Sequence, residues 1–370
     1  MKYKKTYQLK SIVFYIILAI GIVIGTYLVS KNQDIREKAS ASNIKFAVIG
    51  DFGVNSTNQL EVANLVKSWS PDLIITTGDN NYDDGAASTI DQNIGKYYHE
   101  FIGSYKGTYG SGSVTNRFYP SLGNHDWHAS NAQPYLDYFE LPNNERYYDF
   151  ILGPVHFYAI DSDSHEPDGN TATSTQAMWL KNKLASSTST WNVVYFHHAA
   201  YSSSSNHGSY LKMRWPFKEW GADVVLAGHD HTYERLNIDG VTYFVNGVGG
   251  SSLYGFGTPI SGSEFRYNSM HGAMLVEANG QSINFKFFNK LNTLIDSYTL
   301  SNLNPTATPV SSSGTFPNWD VDQNGIVNIV DIGLVVDHYG DINPSIKRVD
   351  VNGDGKVNIL DIGIVVDHYQ

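Results

Sequence analysis

Cysteine is absent from all 370 residues, which excludes disulfides, thiolate nucleophiles and sulfur-ligated metals, so any metal must rest on oxygen and nitrogen. Charge is scarce as well. Asp, Glu, Lys and Arg make up 16% of the chain, against about a quarter in an average domain, so solubility falls to Ser, Thr, Asn and Gly. No basic excess exists either: 25 Lys and Arg stand against 36 Asp and Glu, a net charge of −11, and binding a phosphate backbone needs a basic face. Nucleic acid is therefore not an expected partner. What the chain does have is apolar area, with 25 Tyr, 17 Phe and 7 Trp, enough to exclude a disordered protein. At roughly 100 to 200 residues per domain the length suggests two or three folded units.

The charge is unevenly spread. Residues 1–42 carry seven Lys/Arg and two Asp/Glu, whereas residues 318–370 carry three and nine. Between Lys10 and Lys31 lie 20 uncharged residues, Ser11 to Ser30, long enough as a helix to cross a hydrocarbon core of about 30 Å. This segment reads as an N-terminal transmembrane helix serving as membrane anchor. The rival reading is a cleaved signal with Ala39-Ser40-Ala41 as its small-residue site. Either reading exports the rest of the chain, placing the catalytic region on the extracytoplasmic side of a membrane or in the medium. A Pro/Ser/Thr stretch without charge, within 302–317, reads as a spacer. The expected organisation is thus an anchor at 1–42, a large domain at 43–301, the linker, and a small domain at 318–370.

In the large domain the apolar runs stop at polar residues. Ile44 to Ile49 leads into Gly50-Asp51-Phe52-Gly53, and Leu73 to Thr77 into Gly78-Asp79. Between them Asn58 to Trp69 places Leu60, Ala63, Val66 and Trp69 at helical spacing behind Thr57 as a possible cap. Arg117 to Leu122 runs into Gly123-Asn124-His125-Asp126, Val155 to Ile160 into Asp161, Trp191 to Phe196 into His197-His198, and Val224 to Ala227 into Gly228-His229-Asp230-His231. Strand alternating with helix predicts an α/β fold, and from Val241 onward the runs without helices predict antiparallel sheet. Ligands in open α/β sheets gather at the carboxyl ends of strands, where these Asp, Asn and His residues fall.

Asp51-Phe52-Gly53, Gly78-Asp79-Asn80-Asn81-Tyr82, Gly123-Asn124-His125-Asp126, Val194-Tyr195-Phe196-His197 and Gly228-His229-Asp230-His231, in that order, resemble the calcineurin-like metallophosphoesterases. Tyr82, three residues after Asp79, and Gly53 in place of a metal-binding His narrow the resemblance to the purple acid phosphatases. The resemblance covers about 43–301. It implies a four-layer sandwich of two mixed β-sheets flanked by helices, with a dinuclear centre at one edge. Asp51, Asp79, Tyr82 and His231 would hold the first metal, and Asn124, His197 and His229 the second, with Asp79 bridging. Anionic oxygens including a phenolate favour Fe(III) at the first site; imidazoles and an amide suit Zn(II), Fe(II) or Mn(II) at the second. Two such cations, about 3.5 to 4 Å apart, would generate hydroxide and neutralise phosphoryl charge, making the enzyme a phosphate monoester hydrolase.

The resemblance further implies that His125 is a proton donor to the leaving group, with Asp126 orienting its ring, and that His207 is a second substrate-facing His, with His198 as a substitute. Tyr233-Glu234-Arg235 would pack behind the ligands, while His99, His128, His156 and His165 match no motif and are read as structural. The Gly/Ser/Tyr-rich loops 83–116 and 251–269 would control access. Two other readings remain open, a phosphodiesterase or nucleotidase of the same superfamily and a non-catalytic extracellular binding protein with a structural metal site.

The small domain repeats itself with an offset of 30 residues. Asp320, Asp322, Asn324, Asn328 and Asp331, then Asp350, Asn352, Asp354, Asn358 and Asp361, occupy loop positions 1, 3, 5, 9 and 12, with the carbonyls of Ile326 and Lys356 at position 7 and Gly325 and Gly355 at the turn. Oxygen ligands at that spacing predict two bound Ca2+. Asp at position 12 resembles the dockerins, whose two loop-helix repeats form a small α-helical paired calcium-loop domain. Cellulosomal dockerins carry small hydroxyl residues at positions 10 and 11, where this chain has Ile329, Val330, Ile359 and Leu360. A cohesin-like partner, another surface partner and a purely structural role are all open.

Overall fold

A computed structural model describes residues 43–302, 317–321, 327, 329–342, 344 and 346–369. The expectations for 1–42, for most of the linker and for Asp322, Asn324, Ile326 and Asn328 lie outside the described residues. No helix among those described is long and apolar enough to cross a membrane. The chain divides into two compact units, Met1–Asn302 and Leu303–Gln370.

In the first unit, β1 (Ile44–Ile49), β2 (Leu73–Thr76) and β3 (Phe118–Pro120) run parallel, and β1 also pairs antiparallel with β11 (Gly272–Ala278). With β12 (Ser282–Asn289) and β13 (Leu294–Ser301) they form a six-stranded mixed sheet in the order β13-β12-β11-β1-β2-β3. A seven-stranded mixed sheet is built from β4 (Tyr148–Leu152), β5 (Val155–Ala159), β6 (Trp191–His198), β7 (Val224–Gly228), β8 (Tyr233–Ile238), β9 (Val241–Asn246) and β10 (Ser263–Tyr267), in the order β10-β8-β9-β7-β6-β5-β4. Parallel pairing of β5, β6, β7 and β9 fills its middle, with antiparallel strands at both sides.

The burial pattern explains the sequence pattern. All residues of β2, β5, β7 and β9 are buried, because both faces of these strands are covered, and they read as mostly apolar runs without strict alternation. In β12 buried and half-buried residues alternate along the whole strand, since one face alone meets the core. The sheets pack face to face through Phe46 on Phe157 at 5.0 Å between ring centroids, Phe244 on Phe285 at 4.9 Å and Tyr233 stacked on Phe287 at 4.0 Å. A second core lies beyond the seven-stranded sheet, where Ala177, Leu180 and Leu184 of α4 (Thr175–Ala185) and Phe217 of α5 (Phe217–Trp220) meet Val194, Phe196, Val225 and Val245. Helix α1 (Thr57–Ser68) covers the six-stranded sheet at β11.

Two details differ from the sequence reading. Helix α1 is capped by Ser56, whose Oγ accepts from Gln59 N at 3.2 Å, and Thr57 is already helical. Its inward face is Gln59, Val62, Ala63, Leu65 and Val66, while Leu60 points outward, 46% exposed. Starting the helix one residue earlier does not move the face; the inner stripe is set by Val62 and Leu65, which the Leu60-based spacing left out. Ser56→Ala should lower unfolding stability by about 1 kcal/mol in a chemical denaturation series, the usual cost of losing an N-cap hydroxyl.

The second unit contains α6 (Ile329–Asp337) and α7 (Ile359–Asp367) around Val321, Val327, Val335, Val349, Val351, Val357 and Val365. In its second loop the Asp350 carboxylate accepts from Asp354 N at 3.0 Å and Gly355 N at 2.8 Å, and buried Asp361 accepts from Asn352 N at 3.1 Å and Asn358 N at 2.8 Å. Asp331 of the first repeat likewise accepts from Val321 N at 2.7 Å. Position 1 and position 12 carboxylates of both repeats, Asp320, Asp331, Asp350 and Asp361, are buried or nearly so.

Candidate metal centre

Every sequence-nominated ligand lies at the carboxyl end of a strand. Asp51 follows β1, Asp79 and Tyr82 follow β2, and Asn124 opens the short helix α2 (Asn124–His128) after β3. His197 is the penultimate residue of β6, and His229 and His231 follow β7. The first three strands belong to one sheet and the last two to the other, so the site spans the seam between them.

Two close approaches explain glycines in the motifs. A Cβ on Gly123 would stand 2.2 Å from Asp79 Oδ1, and one on Gly53 would stand 1.7 Å from the carbonyl oxygen of Asn80. The second leaves no room for a His at position 53. Asp51, Asp79 and His229 all adopt left-handed backbone conformations, with φ of 54°, 51° and 69°. Non-glycine residues rarely do so, and three such residues at one site store conformational cost where the ligands turn inward.

The seven side chains converge. Tyr82 Oη is 2.9 Å from Asp79 Oδ2, 3.3 Å from Asp51 Oδ1 and 3.2 Å from His231 Nε2. His231 Nε2 is 3.3 Å from Asp51 Oδ1. His197 Nε2 is 3.3 Å from Asp79 Oδ2, 3.0 Å from Asn124 Oδ1 and 3.0 Å from His229 Nδ1. Ligand atoms at right angles on a cation, each at about 2.1 Å, stand roughly 3 Å apart, so these spacings fit side chains that could hold metal ions.

The proton inventory supports the same reading. His197 Nδ1 donates to the Thr77 carbonyl at 2.9 Å, and His231 Nδ1 to the Ser252 carbonyl at 2.6 Å, which fixes both tautomers. Each Nε2 is thereby turned toward the ligand cluster. Burial alone would hold His197 neutral, but the Asp79 carboxylate and its hydrogen bond outweigh it and push the imidazole up to about 10. Burial, and then the His197 and His198 rings, hold His229 far below its usual range, while burial and the Asp79 and Asp51 charges raise the Tyr82 phenol well above its own. A buried pocket crowded with acceptors, short of positive charge and lined by O and N donors fits a pair of cations.

His125 lies beside Asp79, Nε2 to Oδ2 3.9 Å, with its Nδ1–H on the Asp83 carbonyl, and its ring is 4.4 Å from that of Tyr82. His207 stacks on His229 at 4.1 Å and 29°. His198 bonds Ser162 Oγ at 2.9 Å through Nδ1 and packs 4.4 Å from His229; burial and then His197 hold it down to about 3, a neutral ring. Asp126 does not orient His125. Its carboxylate accepts from Gly123 N at 2.9 Å, Asn80 N at 3.2 Å and Asn80 Nδ2 at 2.9 Å, because the cap of α2 turns it toward the β2 loop. It therefore ties the Asp79 loop to the Asn124 loop. Burial, followed by the Asp79 charge, pushes this carboxyl up to about 7.

Sequence reasoning missed Tyr254, whose ring lies flat on His231 at 4.0 Å and 13°. It lies in a loop among Ser and Gly, with no motif to mark it. Tyr233 donates to Asp296 at 3.0 Å and Arg235 pairs with Asp296 at 2.8 Å, which places this part of the Tyr-Glu-Arg run behind the ligands. His156 bonds Asp149 at 2.9 Å and His165 bonds Asp163 at 2.6 Å, outside the ligand cluster.

Residues 44–233 match the model of the calcineurin-like phosphoesterases. The chain belongs to that family. This phosphoesterase is a purple acid phosphatase homologue: it is 25% identical over 276 residues to purple acid phosphatase 17 of Arabidopsis thaliana, covering 65% of this chain and 79% of the relative. Over 250 residues it is 25% identical to tartrate-resistant acid phosphatase type 5 of Rattus norvegicus, covering 57% of this chain and 74% of the relative. Among solved structures, the yellow lupin purple acid phosphatase PPD1 shares the fold at a TM-score of 0.57 and 17% identity, over 71% of this chain and 54% of that one. GAP50, the anchor in the inner membrane complex of Plasmodium, shares it at 0.56 and 20% identity, over 70% and 89%. Residues 318–368 match the dockerin type I domain. The phosphoesterase is thus a metal-dependent enzyme of the purple acid phosphatase type joined to a dockerin domain.

Proposed function

We propose that the chain is an exported phosphomonoesterase with a dinuclear centre, carried toward a cohesin-type partner by its dockerin domain. The observation that carries the reading is the convergence of seven ligand side chains, linked one to the next at 2.9 to 3.3 Å, with Asp79 touching both Tyr82 and His197. Asp51, Asp79, Tyr82 and His231 would hold Fe(III), and Asn124, His197, His229 and the shared Asp79 a divalent ion. When bound, the pair supplies hydroxide at working pH and neutralises charge on the phosphoryl oxygens.

The remaining chemistry belongs to side chains. With its Nδ1–H fixed on the Asp83 carbonyl, His125 presents Nε2 to the pocket and, when protonated there, passes that proton to the departing alkoxide. His207, stacked over His229 at the open side, binds a phosphoryl oxygen. Thr77 and Ser252 keep both ligand imidazoles turned inward. The calcium loops give the dockerin unit its fold, and export follows from the apolar run Ser11 to Ser30.

The test is direct. Protein supplied with iron and zinc should contain about two metal ions per chain, absorb visible light through Tyr82, and cleave p-nitrophenyl phosphate at least about 10-fold faster than bis-p-nitrophenyl phosphate. A colourless, metal-free and inactive product refutes the reading, and a preference for the diester moves it to phosphodiesterases.

A further inference from the structure

The side chain of the residue between the two ligand histidines makes no hydrogen bond to the ligand side chains. Asp230 is fully buried. Its Oδ1 accepts from the backbone N–H of His207 at 3.2 Å and of Gly208 at 3.4 Å, and its Oδ2 is buried without a hydrogen-bond partner. Four residues on, buried Glu234 accepts from Ser203 N at 2.7 Å, Ser203 Oγ at 2.5 Å and Ser263 Oγ at 2.6 Å. Two carboxylates from the segment that carries His229 and His231 thus grip both ends of the loop 202–208.

That loop has little else to place it. It is largely Ser, His207 is exposed, and Gly208 turns with φ of 70°. Its ties to the segment 255–257, Ser205 N to the Gly255 carbonyl at 3.0 Å and Gly257 N to the Ser203 carbonyl at 2.8 Å, lie at its first half, and Asn206 N and Ser202 N bond only to the local hydroxyls of Ser204 at 3.2 Å and Ser209 at 3.1 Å. At the His207 end the two N–H groups on Asp230 set where the ring goes, namely 4.1 Å above His229. A buried carboxylate is costly to keep, and one that spends its bonds on two amides of a surface loop is placed there for that loop.

We infer that Asp230 is the positioning residue for His207: it holds the His207 and Gly208 amides so that the His207 imidazole stands over the metal-ligand segment, where a phosphoryl oxygen would be bound. The kinetic part of this inference rests on the proposed phosphatase reading; the anchoring part does not.

Full-length Asp230→Ala, Asp230→Asn and His207→Ala, singly and as the double alanine variant, test it. Amide hydrogen exchange at His207 and Gly208 should quicken about 10-fold or more in Asp230→Ala and stay near wild type in Asp230→Asn, which keeps an acceptor oxygen. On p-nitrophenyl phosphate, Asp230→Ala should lose about as much kcat/KM as His207→Ala, roughly 10- to 100-fold, and the double variant no more than His207→Ala alone. Metal content should be unchanged. Unchanged exchange in Asp230→Ala, losses that multiply in the double variant, or metal lost from Asp230→Ala would each overturn the inference. If the wild type proves inactive, the functional reading fails while the exchange result still decides the anchoring. Should Asp230→Ala not fold, wild-type exchange decides: unprotected His207 and Gly208 amides refute it.

Discussion

Asp79→Asn should abolish the proposed catalysis while leaving the fold intact, with loss of phosphate release on the order of 10³-fold or more and loss of at least one metal ion per chain. Asp79 is the one side chain common to both halves of the cluster. It reaches Tyr82 at 2.9 Å and His197 at 3.3 Å, and its other oxygen takes the His125 amide at 3.0 Å. The amide replacement has the same shape and keeps one oxygen to accept from the His125 amide while its Nδ2 faces the Tyr82 oxygen, so circular dichroism should match wild type. What it lacks is the charge that two cations would share. Parallel measurements of metal stoichiometry and phosphate release check this; a variant with both metals and more than a tenth of the activity would show that Asp79 is not shared.

Removing calcium should unfold the dockerin unit and leave the phosphoesterase unit folded. Among its described residues the small unit buries seven valines as its central apolar cluster, too little to offset the chain entropy of some 50 residues. Four carboxylates at the loop ends, Asp320, Asp331, Asp350 and Asp361, are buried at the positions that the loop spacing assigns to calcium ligands. Each site saturated at about 100 times its dissociation constant adds about 2.7 kcal/mol. Limited proteolysis with and without EGTA checks the prediction. The expected result is rapid cleavage within 317–369 in EGTA alone, with the product 43–302 unaffected. Equal resistance in both conditions would mean that the unit stands without its ions.

Much of the centre was legible because each ligand ends an apolar run. Strand endings drew attention to Asp51, Asp79, Asn124, His197, His229 and His231 together with Asp161 and His198, since buried parallel strands are visible as largely apolar stretches, and the family pattern then separated ligands from neighbours. Tyr82 needed the family pattern, because a Tyr three residues past a strand has no distinct periodicity. The surroundings were not legible. Thr77 and Ser252 act through backbone carbonyls, which leave no trace in residue identity. Asp126 looked like a partner for its neighbour His125, yet the helical turn at α2 sends adjacent side chains in different directions. Strand β4, with two of its five residues exposed, and helix α4, with its weak amphipathic pattern, are hidden for the same reason: neither carries a clean period.

The straddling of the seam has a mechanical side. Asp51 and Asp79 ride on one sheet, His197 and His229 on the other, and the aromatic contact of Phe46 with Phe157 holds the two sheets in alignment. Any slippage between the layers would register first as a change in the bite of the donor set, well before a strand came loose. Metal affinity in this molecule is therefore a gauge of how well the two halves of the sandwich are aligned, and a core substitution remote from the pocket can detune it.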